Sequence, residues 1–390
     1  MQKIELGHIP AVLYDTGTKT MRACLFVHGK CGCKEEAAAL APVLAPYGID
    51  VLAIDLPDHG ERQGRGEALV PWTAVPDIAA AYDWLCARYT TVSLYAISIG
   101  AYLSMAALMG KTVDRAFFES PVLSMTRLIE EMMKVSGVTA EEVEKQGEIP
   151  TNLGEKLSWR YYTYAKAHPL TDWHVPTLIL WADGDLLTNR ETVESFAAEH
   201  GAALYVARDC EHWFHTPEQL RIRENWRTAA VRTIRQATEA DGTAIRALYE
   251  GAKTMPDTTW NEYYPGDEEI AADLAAGGLY VWEDAGRVVG AISVEETDDL
   301  DTLPCFADST AAHRSISRLV IDTTQQGHGY AAVFLTELFA RLRCAGVTEI
   351  RLLVAKCNRA ANATYRRTGF AYVGECAMYG VDFFVCRKEL

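Results

Sequence analysis

A serine, two acids and two histidines lie in the first half of the chain where acyl chemistry could use them. Ser98 sits in Ala96-Ile97-Ser98-Ile99-Gly100, between an apolar run and a helix-forming run. A serine hydroxyl is a poor nucleophile at neutral pH. It needs a base, and the base needs a carboxylate to orient it. A nucleophile presented on a tight strand-to-helix turn also needs small residues two places before and after it, because the two backbones nearly touch there. Ala96 and Gly100 meet that need. Downstream, LILWADGDLLTN carries Asp183 and Asp185 just past one apolar run, and ALYVARDCEHWFHTPEQ carries His212 and His215 just past another. A tetrahedral oxyanion would also need donors. The backbone N–H of Ile99, next to the serine, is one candidate. That of Lys30, in Phe26-Val27-His28-Gly29-Lys30, is the other, with Gly29 free to turn the backbone toward the site.

The second half offers different chemistry. Gln326-Gly327-His328-Gly329-Tyr330-Ala331 lies between an apolar strand and a helix. Glycines at a helix N-terminus let backbone N–H groups approach a phosphate, and the helix dipole favours the anion. One strand later comes Asn358-Arg359-Ala360-Ala361-Asn362-Ala363-Thr364-Tyr365-Arg366-Arg367-Thr368-Gly369-Phe370, where Ala361 and Tyr365 share a helix face.

Both constellations need a scaffold. Residues 22–28, 49–55, 91–97, 114–119, 176–182 and 203–208 read as strands, and 34–47, 74–89 and 99–110 as helices between them. That alternation predicts a mainly parallel, doubly wound sheet covered on both faces, with Ser98, Asp185 and His212 each just past a strand end. Residues 122–172 break the rhythm. They read as helical, amphipathic and rich in Met, Trp and Tyr, which predicts a cap insertion over the site. A helix over 217–229 runs straight into a new strand, 233–238, without a Gly/Ser or Pro-rich linker. The expected domains are therefore 1–229 and 232–390. In the second, residues 279–296 form two strands joined at Asp284-Ala285-Gly286, which predicts a mixed, largely antiparallel sheet.

Composition narrows the classes. The chain has 390 residues, enough for two cores, with 49% hydrophobic and 23% charged residues. A net charge of −16 disfavours nucleic-acid binding through a general basic field. The N-terminus has no apolar segment of the secretory kind, and the most apolar stretch, Ala96–Met109, is too short to span a bilayer. Ten cysteines without a disulfide rhythm suit a reducing, cytoplasmic setting. Cys31-Gly-Cys33 reads as loop, and no metal site is expected.

Residues 1 to about 229 resemble the α/β-hydrolase superfamily. Asp55-Leu56-Pro57-Asp58-His59-Gly60-Glu61-Arg62 is similar to the Asp-x-x-x-His-Gly-Glu-Arg loop of esterases related to the dienelactone hydrolase and prolyl oligopeptidase groups. The resemblance implies carboxylester hydrolysis with Ser98 as nucleophile. It selects Asp185 over Asp183 as the acid and His212 over His215 as the base, and makes the His59 loop structural.

Residues 232–390 resemble the Gcn5-related N-acetyltransferases (GNAT), through the Gln-x-x-Gly-x-Ala loop and the Asn-x-x-Ala-x-x-x-Tyr-x-x-x-Gly-Phe string. This implies acetyl-CoA as cosubstrate and a small-molecule amine as acceptor. Backbone groups of Leu319, Val320 and Ile321 would hold the pantetheine arm, and the Gln326–Ala331 loop, through Gly327, Gly329 and Tyr330, the pyrophosphate. Asn358 would contact the cofactor, and Tyr365 would protonate the leaving thiolate. The base stays open between Glu296, His313 and a water relay, and the Trp260–Pro265 aromatics either stack on a substrate or fill core. The expected partners are a small ester and a small amine, without nucleic acid or membrane.

Overall fold

A strand covered on both faces must be apolar throughout. The computed structural model follows that rule closely: all six residues of Ile49–Ile54 and of Thr177–Ala182 are buried, and the two polar ones, Asp50 and Thr177, are hydrogen-bonded. It describes residues 1–152, 154–296, 299–307 and 309–390. These form two compact units, Met1–Gln219 and Leu220–Leu390, so the division falls inside the helix predicted over 217–229.

The first unit is built on an eight-stranded sheet. Its strands are β1 (Gln2–Leu6), β2 (Ile9–Tyr14), β3 (Arg22–Val27), β4 (Ile49–Ile54), β5 (Thr91–Ile97), β6 (Ala116–Glu119), β9 (Thr177–Ala182) and β10 (Ala203–Ala207), in the order β1-β2-β4-β3-β5-β6-β9-β10. Only the β1–β2 and β2–β4 pairings are antiparallel. All pairings from β4 to β10 are parallel. Helices α2 (Pro71–Cys86), α3 (Ile99–Leu108) and α7 (Arg190–Glu199) connect the strands. Helix α8 (Pro217–Ala230) spans the division between the units.

Two expectations change. The helix predicted over 34–47 is only a short α1 (Ala41–Leu44) flanked by tighter turns. Pro42 is tolerated in the first turn of α1 and Pro46 follows its end, and since neither supplies an N–H donor no continuous α-helix runs through 34–47. The segment 122–172, in which Leu153 lies outside the described residues, is not wholly helical. It folds as α4 (Met125–Ser136), α5 (Ala140–Gln146), a small hairpin of β7 (Glu148–Pro150) and β8 (Lys156–Ser158), and α6 (Trp159–Ala167). Gly147, at φ 78°, ends α5 and turns the chain into the hairpin.

The Asp55–Arg62 loop is pinned by buried charge. Asp55 is fully buried and accepts from the Lys34 backbone N–H at 2.9 Å, Lys34 Nζ at 2.7 Å and the Glu61 N–H at 2.9 Å. Burial pulls the Lys34 ammonium down, but its hydrogen bonds to Asp55, Glu61 and Glu35 outweigh that and raise it. Arg62, also buried, reaches Asp77 at 2.6 Å and the Asp55 carbonyl at 3.2 Å.

The second unit has a seven-stranded sheet of β11 (Thr233–Gln236), β12 (Leu279–Asp284), β13 (Arg287–Glu295), β14 (His313–Ile321), β15 (Glu349–Ala355), β16 (Ala371–Met378) and β17 (Val381–Glu389). The order is β11-β12-β13-β14-β15-β17-β16, and only β14–β15 is parallel. The β12–β13 turn has Ala285 and Gly286 both at positive φ, the two-residue geometry that matches strand twist. Helices α9 (Gly242–Lys253), α10 (Asp267–Ala275), α11 (Tyr330–Cys344) and α12 (Arg359–Arg367) cover the sheet. Trp282 stacks on Phe334 of α11 at 5.4 Å.

Removing one partner of the Lys34–Asp55 pair leaves a buried carboxylate without its cation. Lys34→Met is expected to destabilise the chain by about 3 kcal/mol or more, read as a lowered urea midpoint. An unchanged midpoint would show that Asp55 does not depend on this cation.

Candidate functional site

The first site grows from the turn between β5 and α3. Ser98 occupies it at φ 53°, ψ −122°, a conformation that L-residues rarely adopt. The turn is held at both ends: the Ser98 N–H donates to the Glu119 carbonyl at 3.0 Å, and the Ser98 carbonyl accepts from the Val122 N–H at 3.1 Å. Gly100 is obligatory for a steric reason, since a Cβ there would stand 2.4 Å from the His28 carbonyl oxygen.

From the half-buried Ser98 a hydrogen-bonded line runs inward. Its Oγ lies 2.9 Å from His212 Nε2, and His212 Nδ1 lies 2.7 Å from Asp185 Oδ2. A carboxylate only accepts, so Nδ1 carries the hydrogen and Nε2 is left to accept from the serine hydroxyl. Asp185 is fixed in turn by the N–H groups of Leu187 at 2.7 Å and Thr188 at 3.1 Å on its other oxygen. Asp183 and His215 stand outside this line: Asp183 is exposed, and His215 is exposed beside Glu211.

Two braces had no sequence signal. Ser120, at φ 42°, donates to the His212 carbonyl at 2.9 Å, and Thr188 donates to the Pro121 carbonyl at 2.7 Å. Both depend on where β6 ends in space.

Of the two expected oxyanion donors, the Ile99 N–H opens α3 and so has no intrahelical partner. The Gly29–Lys30 backbone runs beside Ser98, a Cβ on Gly29 falling 3.2 Å from Ser98 Cβ. The Lys30 side chain points elsewhere, pairing with Glu155 between β7 and β8, which brings the inserted segment against this loop. Behind the loop, fully buried His28 sits beside the Gly29 carbonyl at 2.7 Å through Nδ1 and accepts from the Leu56 N–H at 3.0 Å through Nε2. His59 braces the same loop, accepting from the Cys31 N–H at 3.0 Å.

The second site is a groove of about 590 Å³ in the C-terminal unit. Strands β14 and β15 pair only from His313 to Ser315 and from Glu349 to Arg351, then part, leaving Leu319–Ile321 facing Leu353–Ala355 across the groove. Gln326, Gly327, Gly329, Tyr330 and Ala331 line one end. Gly327 and Gly329 are at φ 82° and 77°, and Gly329 caps the N-terminus of α11. Parted strands beside a helix N-terminus with free-turning glycines suit a long ligand with an anionic end.

Comparisons with known proteins agree with both geometries. The family model for Acetyltransferase (GNAT) family matches residues 243–370. The C-terminal unit is a GNAT-family acetyltransferase domain. The first unit has the α/β-hydrolase fold. It is similar to the ferulic-acid-bound Est1E of Butyrivibrio proteoclasticus, with 18% identity, TM-score 0.50, and coverage of 58% of this chain and 96% of that one. A GNAT-family acetyltransferase from Streptococcus agalactiae matches at 21% identity and TM-score 0.35, over 41% of this chain and 95% of that one. No curated protein matches the chain.

Within the GNAT domain, Asn358 lines the groove while its Oδ1 caps α12 by accepting from the Ala361 N–H at 3.0 Å. Gln326 also lines it, and its side chain donates to the Ile321 carbonyl at 3.2 Å, tying the glycine loop to β14. Tyr365 is buried on the groove wall, and burial pushes its phenol well above the ordinary range. Glu296 and His313 are not among the lining residues: Glu296 pairs with Arg314 and His313 with Asp301, each at 2.8 Å. Trp260 lines the groove and packs edge-on against buried Tyr249 at 5.4 Å, so it serves the core as well. Sequence reasoning missed Arg318. It stands at φ 52° where β14 slips register against β13, and bonds Asp273, Ser293, Glu295 and Tyr264.

No helix of the described residues is long and apolar enough to cross a membrane. Among the described residues no group of three or more His, Cys, Asp or Glu could hold a metal.

His28 makes the loop beside Ser98 sensitive to acid. Burial pushes its imidazole from 6.5 down to about 4, against the pull of the Gly29 carbonyl. The unfolded chain then binds the proton more tightly than the folded one. This stability is present above pH 6.5 and is lost as pH falls toward 4, on the order of 3 kcal/mol in all. Urea midpoints should fall more steeply between these limits for the wild-type chain than for His28→Gln; parallel curves would refute the assignment.

Proposed function

We propose that the chain is a bifunctional enzyme: a serine-dependent acyl ester hydrolase joined to an acetyl-CoA-dependent N-acetyltransferase of a small-molecule amine. The observation that carries the first half is the hydrogen-bonded line Ser98–His212–Asp185 at a strained strand-to-helix turn. In the proposed reaction His212 Nε2 takes the serine proton as Oγ attacks the ester carbonyl. Asp185 holds the ring and stabilises the imidazolium, and the N–H groups of Ile99 and Lys30 receive the oxyanion. The imidazolium then protonates the departing alkoxide. Water, deprotonated by the same nitrogen, cleaves the acyl-serine and restores the hydroxyl.

For the second half, acetyl-CoA would supply an activated acetyl thioester. The backbone of Leu319, Val320 and Ile321 would orient its arm, and the N–H groups of Gly327, Gly329 and Tyr330 would hold its pyrophosphate. Raised by burial, the Tyr365 phenol keeps its proton throughout the physiological range and has it ready for the departing thiolate.

Wild-type chain should be labelled by a fluorophosphonate at Ser98 alone, and Ser98→Ala should abolish both labelling and short-chain p-nitrophenyl ester hydrolysis. Labelling that persists in the variant sinks the nucleophile. Asp185→Asn should cost on the order of a thousandfold in kcat, and Asp183→Asn little. The reverse ranking would move the acid.

Acetyl-CoA at about a hundred times its Kd should stabilise the GNAT domain within the full chain by roughly 2.7 kcal/mol, read by calorimetry. Tyr365→Phe should keep that shift and lose acetyl transfer, while ester hydrolysis stays intact. No shift at saturation would refute cofactor binding.

A further inference from the structure

Two large apolar side chains left in solvent stand directly after Asp185 and His212. Leu186 is 88% exposed and Trp213 is 67% exposed, while Asp185 and His212 themselves are buried. The local backbone explains both placements. Asp185 Oδ1 accepts from the N–H groups of Leu187 and Thr188, which folds the chain into a short turn with Leu186 on its outside. The Phe214 N–H donates to the Glu211 carbonyl at 3.0 Å, closing a second turn with His212 and Trp213 at its central positions. Phe214, at φ 45°, turns inward and is buried. The Gly184 N–H donates to the Cys210 carbonyl at 3.0 Å, so the two turns leave the sheet side by side.

In an extended chain, neighbouring side chains point to opposite faces and their rings do not meet. Here they do: the Trp213 ring lies 5.1 Å from the His212 ring, at 70° in an edge contact. Its exposed surface is therefore continuous with the imidazole whose Nε2 lies 2.9 Å from Ser98 Oγ. Glu211, the charge next to this pair in the chain, is engaged by His215 at 3.4 Å. One exposed apolar side chain is ordinary, but an indole held against this imidazole is surface that a reacting ester has to pass.

The chemistry decides which part of the ester passes there. When the tetrahedral intermediate collapses, the bond from the acyl carbon to the leaving oxygen breaks. The proton on His212 Nε2 goes to that oxygen, which departs as the alcohol. The leaving oxygen must therefore come within hydrogen-bond reach of Nε2, and the group it carries lies on the imidazole side of the site. We infer that Trp213, flanked by Leu186, is the platform for the alcohol part of the ester, and that this part carries a flat apolar ring. The inference rests on the reading of Ser98 as nucleophile. A ring laid on the indole removes from water apolar area that the free protein leaves wet. Trp213 is then a specificity residue: it selects the leaving group and moves no proton.

The test uses the full chain and two isomeric esters. Benzyl acetate carries its ring on the alcohol side, and methyl phenylacetate carries the same ring on the acyl side. With each kcat/KM divided by the ester's own alkaline hydrolysis rate, the wild-type chain should favour benzyl acetate by at least about tenfold. Trp213→Ala should erase most of that ratio, and Trp213→Phe, which restores a flat ring, should keep most of it. A second measurement needs no variant. With a methyl ester as acyl donor, an added alcohol competes with water for the acyl-serine: it gives its proton to His212 Nε2 as its oxygen attacks the acyl carbon, and Ser98 Oγ leaves with that proton. Benzyl alcohol should form its ester at least about tenfold faster than ethanol at equal concentration. A ratio that favours methyl phenylacetate, a preference that survives in Trp213→Ala, or equal trapping of the two alcohols overturns the inference. Fluorophosphonate labelling separates its failure from that of the nucleophile. A chain labelled at Ser98 but indifferent to the position of the ring refutes the platform alone. An unlabelled chain that hydrolyses neither isomer refutes the reading on which the platform rests.

Discussion

The hydrolase-fold unit depends on one backbone torsion. Holding Ser98 at φ 53° costs on the order of 1–3 kcal/mol, and that conformation survives only where its surroundings over-determine it. The surroundings form a chain of dependencies. Two backbone hydrogen bonds, to Glu119 and from Val122, clamp the turn. The lack of a side chain at Gly100 lets α3 approach the His28 carbonyl. The His28 ring ties that loop to Leu56, and the next residue back, Asp55, is anchored by Lys34. A buried ion pair thus supports, through these contacts, the turn that holds Ser98.

The GNAT domain uses the same device with a different outcome. Arg318, at φ 52°, places a bulky side chain where glycine is favoured. Its guanidinium compensates by reaching Asp273 of α10 at 2.7 Å and Glu295 of β13 at 2.8 Å. All three of its nitrogens are engaged by the protein, so it serves to shape the groove. With the register broken at the bulge, β14 stops tracking β15 beyond Ser315 and a ligand-sized space opens.

Much of this is legible in the amino-acid sequence alone. Apolar runs alternating with helices predict the parallel sheet, and residues just past the ends of β5, β9 and β10 predict where the line of Ser98, His212 and Asp185 forms. Glycine spacing predicts the α11 N-terminus. What could not be read depends on contacts between distant segments. Ser120 is an ordinary serine after a strand until the fold brings it to the His212 carbonyl. Arg318 looks like one more strand residue, because a bulge carries no mark when its side chain is not glycine. The helix predicted over 34–47 fails for a local reason: alanine propensity favours it, while Pro42 and Pro46 interrupt the hydrogen bonding of a continuous helix. The hairpin within 122–172 has strands of three residues each, too short for a period to register.

The two proposed reactions attack the same kind of electrophile, an acyl carbonyl, and differ in what water must do. A hydrolase has to admit water, because its second step consumes it. A transferase has to exclude water, because water would compete with the amine for the thioester. The side chains differ in the corresponding sense. Ser98 is half-buried at the mouth of its turn, while His212 and Asp185 behind it are closed off, so solvent could reach the acyl carbon without wetting the base's support. Tyr365 is buried on a groove wall that includes Leu319, Val320 and Phe383. Burial both withholds solvent there and raises the phenol, so one feature of packing serves both needs of the proposed transfer, a site short of water and a phenol that holds its proton.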